Sequence, residues 1–235
     1  MRKALLSMII CLTTVFALFA GDVANFVDMG FTQDGKSYVF AQYGRTDKKY
    51  QGWAEIYTVN ISENDFVDGG VFRTNPSAVT AEKTGNEVFE ALQAKSFYYF
   101  KNLNCQKTEP EQILYVCDDA EKSGTDKIIF KDFASADIDN QITYNIQLVP
   151  TIIGSGKSVK SSFYILVEKK DAAGNIISTT KVGNPSIVRK GISGYKIERI
   201  LCDKTKKNFI FVVEKHLEDE SGLSIRYMVE ASKIY

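Results

Sequence analysis

The chain has 235 residues, with one histidine, four cysteines and 29 acidic side chains to set the chemistry it can perform. His216 lies in the run Phe211-Val212-Val213-Glu214-Lys215-His216, at the expected end of a strand and before the acidic turn Glu218-Asp219-Glu220. With no second histidine and no obvious partner, most Ser–His, Cys–His and histidine–metal schemes fall away. No catalytic residue, cofactor or metal ligand is therefore assigned, and His216 is read as a strand-end residue. The cysteines lack Cys-x-x-Cys spacing, which argues against a zinc site. Cys105 and Cys117 flank the turn-like segment Lys107-Thr108-Glu109-Pro110 and form the candidate disulfide pair. The alternative is three buried thiols, with Cys202, acting as small hydrophobes.

Four further patterns carry chemistry elsewhere but are read here as structure. Gly154-Ser155-Gly156-Lys157-Ser158 ends like a phosphate loop, yet Thr151 stands where that motif needs glycine, and a strand follows where it needs a helix. Ser193-x-x-Lys196 falls in an expected strand, where residues three apart face opposite sides. Asp132, Asp137, Asp139 and Asn140 crowd one segment and offer oxygen ligands for calcium, but without the EF-hand spacing or its closing glutamate. Paired carboxylates for glycoside hydrolysis need only spatial proximity, and nothing singles out a pair among 29 acids. Trp53, Tyr50, Tyr57, Tyr98 and Tyr99 either fill a β core or form a binding face for a glycan or protein.

The first twenty residues point to export. Arg2 and Lys3 precede an apolar run from Ala4 to Ala20, which ends in small residues followed by Gly21-Asp22. This is the layout of a cleavable signal peptide. The run is about 17 residues long, at the lower edge of a membrane span. Removing Arg2 and Lys3 leaves 27 basic residues against 29 acidic ones, a net charge of about −2. No basic stripe stands out, so a nucleic-acid partner is not expected. No second apolar run reaches the length of a span, so no membrane crossing is expected after cleavage.

The elements behind these residues are mostly strands. Ser37–Tyr43 and Glu55–Ile61 alternate, with Asp34-Gly35 and Asp68-Gly69-Gly70 as turns, so residues 24–74 read as a four-stranded antiparallel meander. Between residues 76 and 102 the apolar positions Val79, Val88, Leu92, Phe97 and Phe100 follow helical spacing, with Asn75 or Ser77 as the cap and a weak point at Gly85-Asn86. Eight further strands are expected, at about 113–117, 127–133, 141–149, 161–168, 175–181, 194–202, 208–216 and 223–230. The expected fold is mainly β, with antiparallel meander sheets arranged as a sandwich or propeller-like body. It forms one secreted domain over residues 21–235, carrying one helical insertion.

The two ends of the chain echo one another. Asp34, Tyr38-Val39-Phe40, Gly52 and Ile56–Val59 recur as Asp203, Phe209-Ile210-Phe211, Gly222 and Ile225–Val229. Phe31-Thr32-Gln33-Asp34-Gly35-Lys36-Ser37-Tyr38-Val39-Phe40 resembles a hairpin of Tol-type β-propeller blades. Together with Gly21–Val27, Gln42-Tyr43-Gly44, Ala54–Tyr57 and Arg226–Glu230, it resembles an uncharacterised family of predicted secreted proteins known mainly from spirochaetes. That resemblance implies export and a β fold, and brings no activity, cofactor or catalytic residue with it. The functional expectation is a non-catalytic envelope or periplasmic binding protein for a protein or glycan partner. A secreted carboxylate hydrolase acting on glycans and a structural envelope component are the alternatives.

Overall fold

A computed structural model describes residues 20–117, 127–132, 141–219 and 222–234. Most of the expected signal peptide, the expected turn at 122–124, and Asp137, Asp139 and Asn140 lie outside the described residues. The chain is mainly β and antiparallel. The first sheet is the meander β2 (Asn25–Phe31), β3 (Ser37–Arg45), β4 (Gly52–Asn60) and β5 (Asp65–Thr74), paired in that order. After α1 (Gly85–Lys95) and α2 (Phe97–Leu103), β6 (Ile113–Val116) joins the edge of a second sheet. That sheet runs β1-β14-β13-β12-β6, with β1 at Ala20–Val23, β12 at Ile192–Cys202, β13 at Asn208–Asp219 and β14 at Gly222–Lys233. The third sheet runs β10-β9-β8-β7, formed by β7 (Lys127–Lys131), β8 (Thr143–Ile153), β9 (Lys160–Lys170) and β10 (Ile176–Val182), with the short β11 (Arg189–Lys190) also on β9.

Three apolar clusters stack these sheets into layers. One face of the central sheet, carrying Ile200, Phe209, Phe211 and Val213, packs on Ile146, Phe163 and Ile165 of the third sheet. Its other face, carrying Leu201, Ile210 and Val212, packs on Tyr38, Phe40, Tyr57 and Val59 of the first sheet. The far side of the first sheet, with Val39, Ala41, Ala54 and Ile56, is covered by Val88, Phe89 and Leu92 of α1. A strand buried on both faces reads as a continuous apolar run rather than an alternating one. Phe209-Ile210-Phe211-Val212-Val213 is such a run, and all five residues are buried. Full burial of each large side chain contributes about 1.5–3 kcal/mol, so this strand is the centre of the core.

The helical region follows its expected place but not its expected boundaries. Ser77 precedes a 3-10 turn at Ala78–Thr80, not the helix itself. The helix starts at Gly85, where the Thr84 hydroxyl accepts from the Glu87 N–H at 3.2 Å and the Glu87 carboxylate accepts from the Thr84 N–H at 2.7 Å. This reciprocal pair is a capping box. Gly85 is thus the first helical residue rather than a weak middle. A Cβ there would meet the Gly44 backbone at 2.6 Å, so glycine lets α1 approach β3 closely. The break between the helices falls at Ser96, whose hydroxyl donates to the Leu92 carbonyl at 2.6 Å.

The two ends of the chain meet in one sheet. β1 pairs parallel with β14, Val23 opposite Ile225, and the Ala24 N–H donates to the Ile225 carbonyl at 3.1 Å. The sequence echo also has a physical basis. Asp34 accepts from the Thr32 hydroxyl at 2.7 Å and the Lys36 N–H at 3.1 Å. Asp203 accepts from the Thr205 hydroxyl at 2.7 Å and the Asn208 N–H at 3.2 Å. Both turns use an aspartate to satisfy the backbone of a tight hairpin, and their hairpins face each other across one apolar cluster.

Candidate functional site: a cleft at the edge of the central sheet

β1 is short, and its pairing register with β14 ends at Ile225. Beyond that point two side-chain amides take the place of a strand on the outer edge of β14. Gln42 Oε1 accepts from the Tyr227 N–H at 2.7 Å, and Asn64 Oδ1 accepts from the Ala231 N–H at 2.6 Å. Asn64 sits at φ 53, in the left-handed region that asparagine tolerates better than most residues. A cleft of about 910 Å³ opens along this stretch. Its walls are the β4–β5 turn with Asn64 and Phe66, the Thr180–Asn184 segment that ends β10, and β14 itself from Met228 to Lys233. All three sheets therefore contribute to it.

Three charged side chains converge on the cleft. Glu230 is only 5% exposed; Asn64 Nδ2 donates to its Oε2 at 2.5 Å, and Arg189 Nη2 lies 3.5 Å from its Oε1. Burial pushes the Glu230 carboxyl above the usual range, while Asn64 and Arg189 pull the other way. Arg189 lies over the Phe163 ring at 5.0 Å and its Nη1 reaches the Ile187 carbonyl at 3.4 Å. Lys215 follows Phe209, Phe211 and Val213 in the strand alternation, a charge in step with an apolar row. Burial brings its ammonium down to about 8; Glu55 opposes this, and Arg189, Arg226 and Arg73 reinforce it.

A second polar group, near the start of β14, is built for stability. Asp22 Oδ2 accepts from Trp53 Nε1 at 2.9 Å and from Arg226 Nη2 at 2.6 Å. The Arg226 guanidinium stacks on the Trp53 ring at 4.1 Å. These contacts tie β1 to the first and second sheets at once.

Residues 39–233 match the profile of a family described as predicted secreted proteins, DUF2259. The chain belongs to the DUF2259 family. No curated protein and no solved structure matches it. This DUF2259 chain is secreted or periplasmic, and no helix of its described residues is long and apolar enough to cross a membrane.

The residues marked by sequence do not gather in the cleft of the DUF2259 chain. His216 sits on β13 with Nε2 3.3 Å from Glu214 Oε2, outside the cleft lining. Trp53 and Tyr57 are buried, while Tyr50 and Tyr98 are exposed on other elements, so these aromatics form no shared face. The 154–158 segment is the glycine turn between β8 and β9, and Ser193 and Lys196 lie within β12, as expected. Cys105 packs beside the helix-covered cluster, whereas Cys117 follows β6, where its N–H donates to the Glu198 carbonyl at 2.7 Å. Both are thiols here, as is the fully buried Cys202, whose thiol burial raises to about 11. Of the acidic segment weighed for calcium, only Asp132 is described.

The cleft residues Asn64, Arg189, Lys215 and Glu230 were not singled out by sequence. Two of them carried a signal. Lys215 and Glu230 are charges at inward positions of strands whose neighbours are apolar, and a buried charge needs a partner or a purpose.

Proposed function

We propose that this chain is a non-catalytic binding protein of the bacterial envelope, exported by a cleavable leader over residues 1–20, with its ligand site in the cleft along β14. The observation that carries this reading is the cleft itself, a concavity to which three sheets contribute and on which the buried Glu230 and the half-buried Arg189 and Lys215 converge. Its volume falls in the usual range for compact ligands, about 300–1,000 Å³. It accepts a sugar unit or a projecting group of an envelope protein. The stacked sheets, with the N-terminal strand added to the sheet of the C-terminal one, support the propeller-like kinship suggested by Phe31–Phe40. Export to an oxidising compartment also favours a bond between Cys105 and Cys117, which alkylation without reductant tests.

The wall residue Thr180 gives the direct check. Thr180 belongs to none of the apolar clusters, and Thr180→Trp fills the cleft from β10. Wild-type protein is expected to retain a component of envelope extracts that the variant, folded with an unchanged circular dichroism spectrum, does not. Equal retention by both overturns the assignment to the cleft.

A second reading, a secreted carboxylate hydrolase acting on glycans, is favoured by Glu230. It is a buried acid with a raised pKa, and Glu63 and Asp65 line the same cleft. Glycan hydrolysis by the wild type that disappears in Glu230→Gln would select it; no hydrolysis across a glycan panel leaves the binding reading in place.

A further inference from the structure

The cleft reading leaves the ligand's chemistry open, and its charged groups narrow it. Lys215 lines the cleft, and its ammonium has no hydrogen bond or ion pair among the described residues. A half-buried ammonium without a close counter-ion is costly, and an anion entering the cleft relieves that cost. Arg189, on the same cleft, has spare donors. A guanidinium carries five N–H groups, and its contacts to Ile187 and Glu230 are long, at 3.4 and 3.5 Å. Glu230 offsets one of the two cations, through Arg189 at 3.5 Å, and leaves the Lys215 ammonium without an ion pair of its own among the described residues. The charged groups around Lys215 and along the cleft are Glu55 on β4, Glu63 and Asp65 at the β4–β5 turn, Arg73 on β5, Lys181 on β10, Arg189 on β11, Arg226, Glu230 and Lys233 on β14, and the flanking Glu214 and His216 on β13. Glu55 is already committed: its carboxylate takes Gln42 Nε2 at 2.9 Å, the Tyr57 hydroxyl at 2.6 Å and Arg73 at 3.5 Å.

We propose that Lys215 and Arg189 form an anion-binding subsite in the cleft, for the carboxylate or phosphate group of an otherwise compact ligand. This rests on the cleft being the binding site. Arginine supplies directed N–H donors and lysine a point charge, a combination suited to either oxyanion. Anion affinity falls as the pH rises through about 8, because Lys215 then loses its proton. The apolar flank, Met228 and Ile187, takes the uncharged part of the ligand.

The test titrates the mature chain with inorganic phosphate, with citrate and with a neutral oligosaccharide, by calorimetry at pH 7 and pH 9. Phosphate or citrate is expected to bind, at least about ten-fold more weakly at pH 9 and in Lys215→Met or Arg189→Met. The tighter of the two anions identifies the source of the charge. Acylation of Lys215, read by peptide mass, should slow when the anion is present. Anions that bind Lys215→Met as tightly as the wild type, or that do not bind the wild type at all, overturn the subsite. The Thr180→Trp variant separates the two levels. If it loses the envelope ligand while Lys215→Met keeps it, the cleft stands and the anion subsite falls. If it loses nothing, both fall.

Discussion

Arg226 and Lys215 face each other across the β13–β14 pair and make opposite predictions. Arg226 is the partner of the buried Asp22 carboxylate. Arg226→Met leaves that carboxylate desolvated with only the Trp53 N–H, and Asp22 Oδ1 already lacks a partner. Removing one member of a buried pair costs about 3–5 kcal/mol, so a large drop in urea midpoint is expected. Lys215 is the reverse case: Lys215→Met removes an uncompensated charge and should stabilise the protein at pH 7 by on the order of 1 kcal/mol. The sign of its pH dependence follows. Its folded pKa of about 8 lies below the ordinary lysine value of 10.5, so between those values the unfolded state holds more protons. The Lys215 contribution to stability therefore improves as pH rises through that window, and the gap between variant and wild type should close. Urea melts of both proteins at pH 7 and pH 10 check it; a gap that stays constant contradicts it. The alternation of β13 made Lys215 visible as an inward charge. Its nearness to Arg189 was not visible, because 26 positions of chain and two sheets separate them.

At the scale of elements, the outer edge of β14 is held by Asn64 rather than by a strand. Asn64→Ala leaves the Ala231 N–H without its acceptor and Glu230 without its short donor contact. The expected cost is about 1–3 kcal/mol, with faster hydrogen exchange at Ala231 than at Val212 on the covered strand. Thr84→Ala removes one half of the α1 capping box and should cost about 1 kcal/mol in thermal unfolding. The strand pattern was largely legible: the meander over 25–74 and the long C-terminal strands fall where alternation and turn residues put them. The helix start was misplaced because Ser77 and Asn75 are good caps in general, while Thr84-x-x-Glu87 is the pair that closes here. β1 escaped notice because Ala20–Val23 straddles the expected cleavage point and gains its pairing only from β14, some 200 residues away.

At the scale of the whole molecule, the stacking of layers explains what the sequence could not separate. A sandwich and a propeller-like body use the same short strands and turns; which sheet covers which depends on long-range packing. The run Phe209–Val213 does indicate a strand covered on both faces, and it is the strand at the centre of the stack. The cleft exists because β1 stops at Val23 while β14 continues to Lys233, leaving an edge that two other sheets wall in. Such a site is assembled from residues 59 to 233 and has no local motif. The most direct measurement is an amide 15N–1H spectrum of the mature chain titrated with envelope carbohydrates and with inorganic phosphate. Shifts grouped at Asn64, Gly183, Lys215 and Glu230 are predicted. Shifts grouped on α1 and α2, with those four amides unmoved, would contradict a binding site in the cleft.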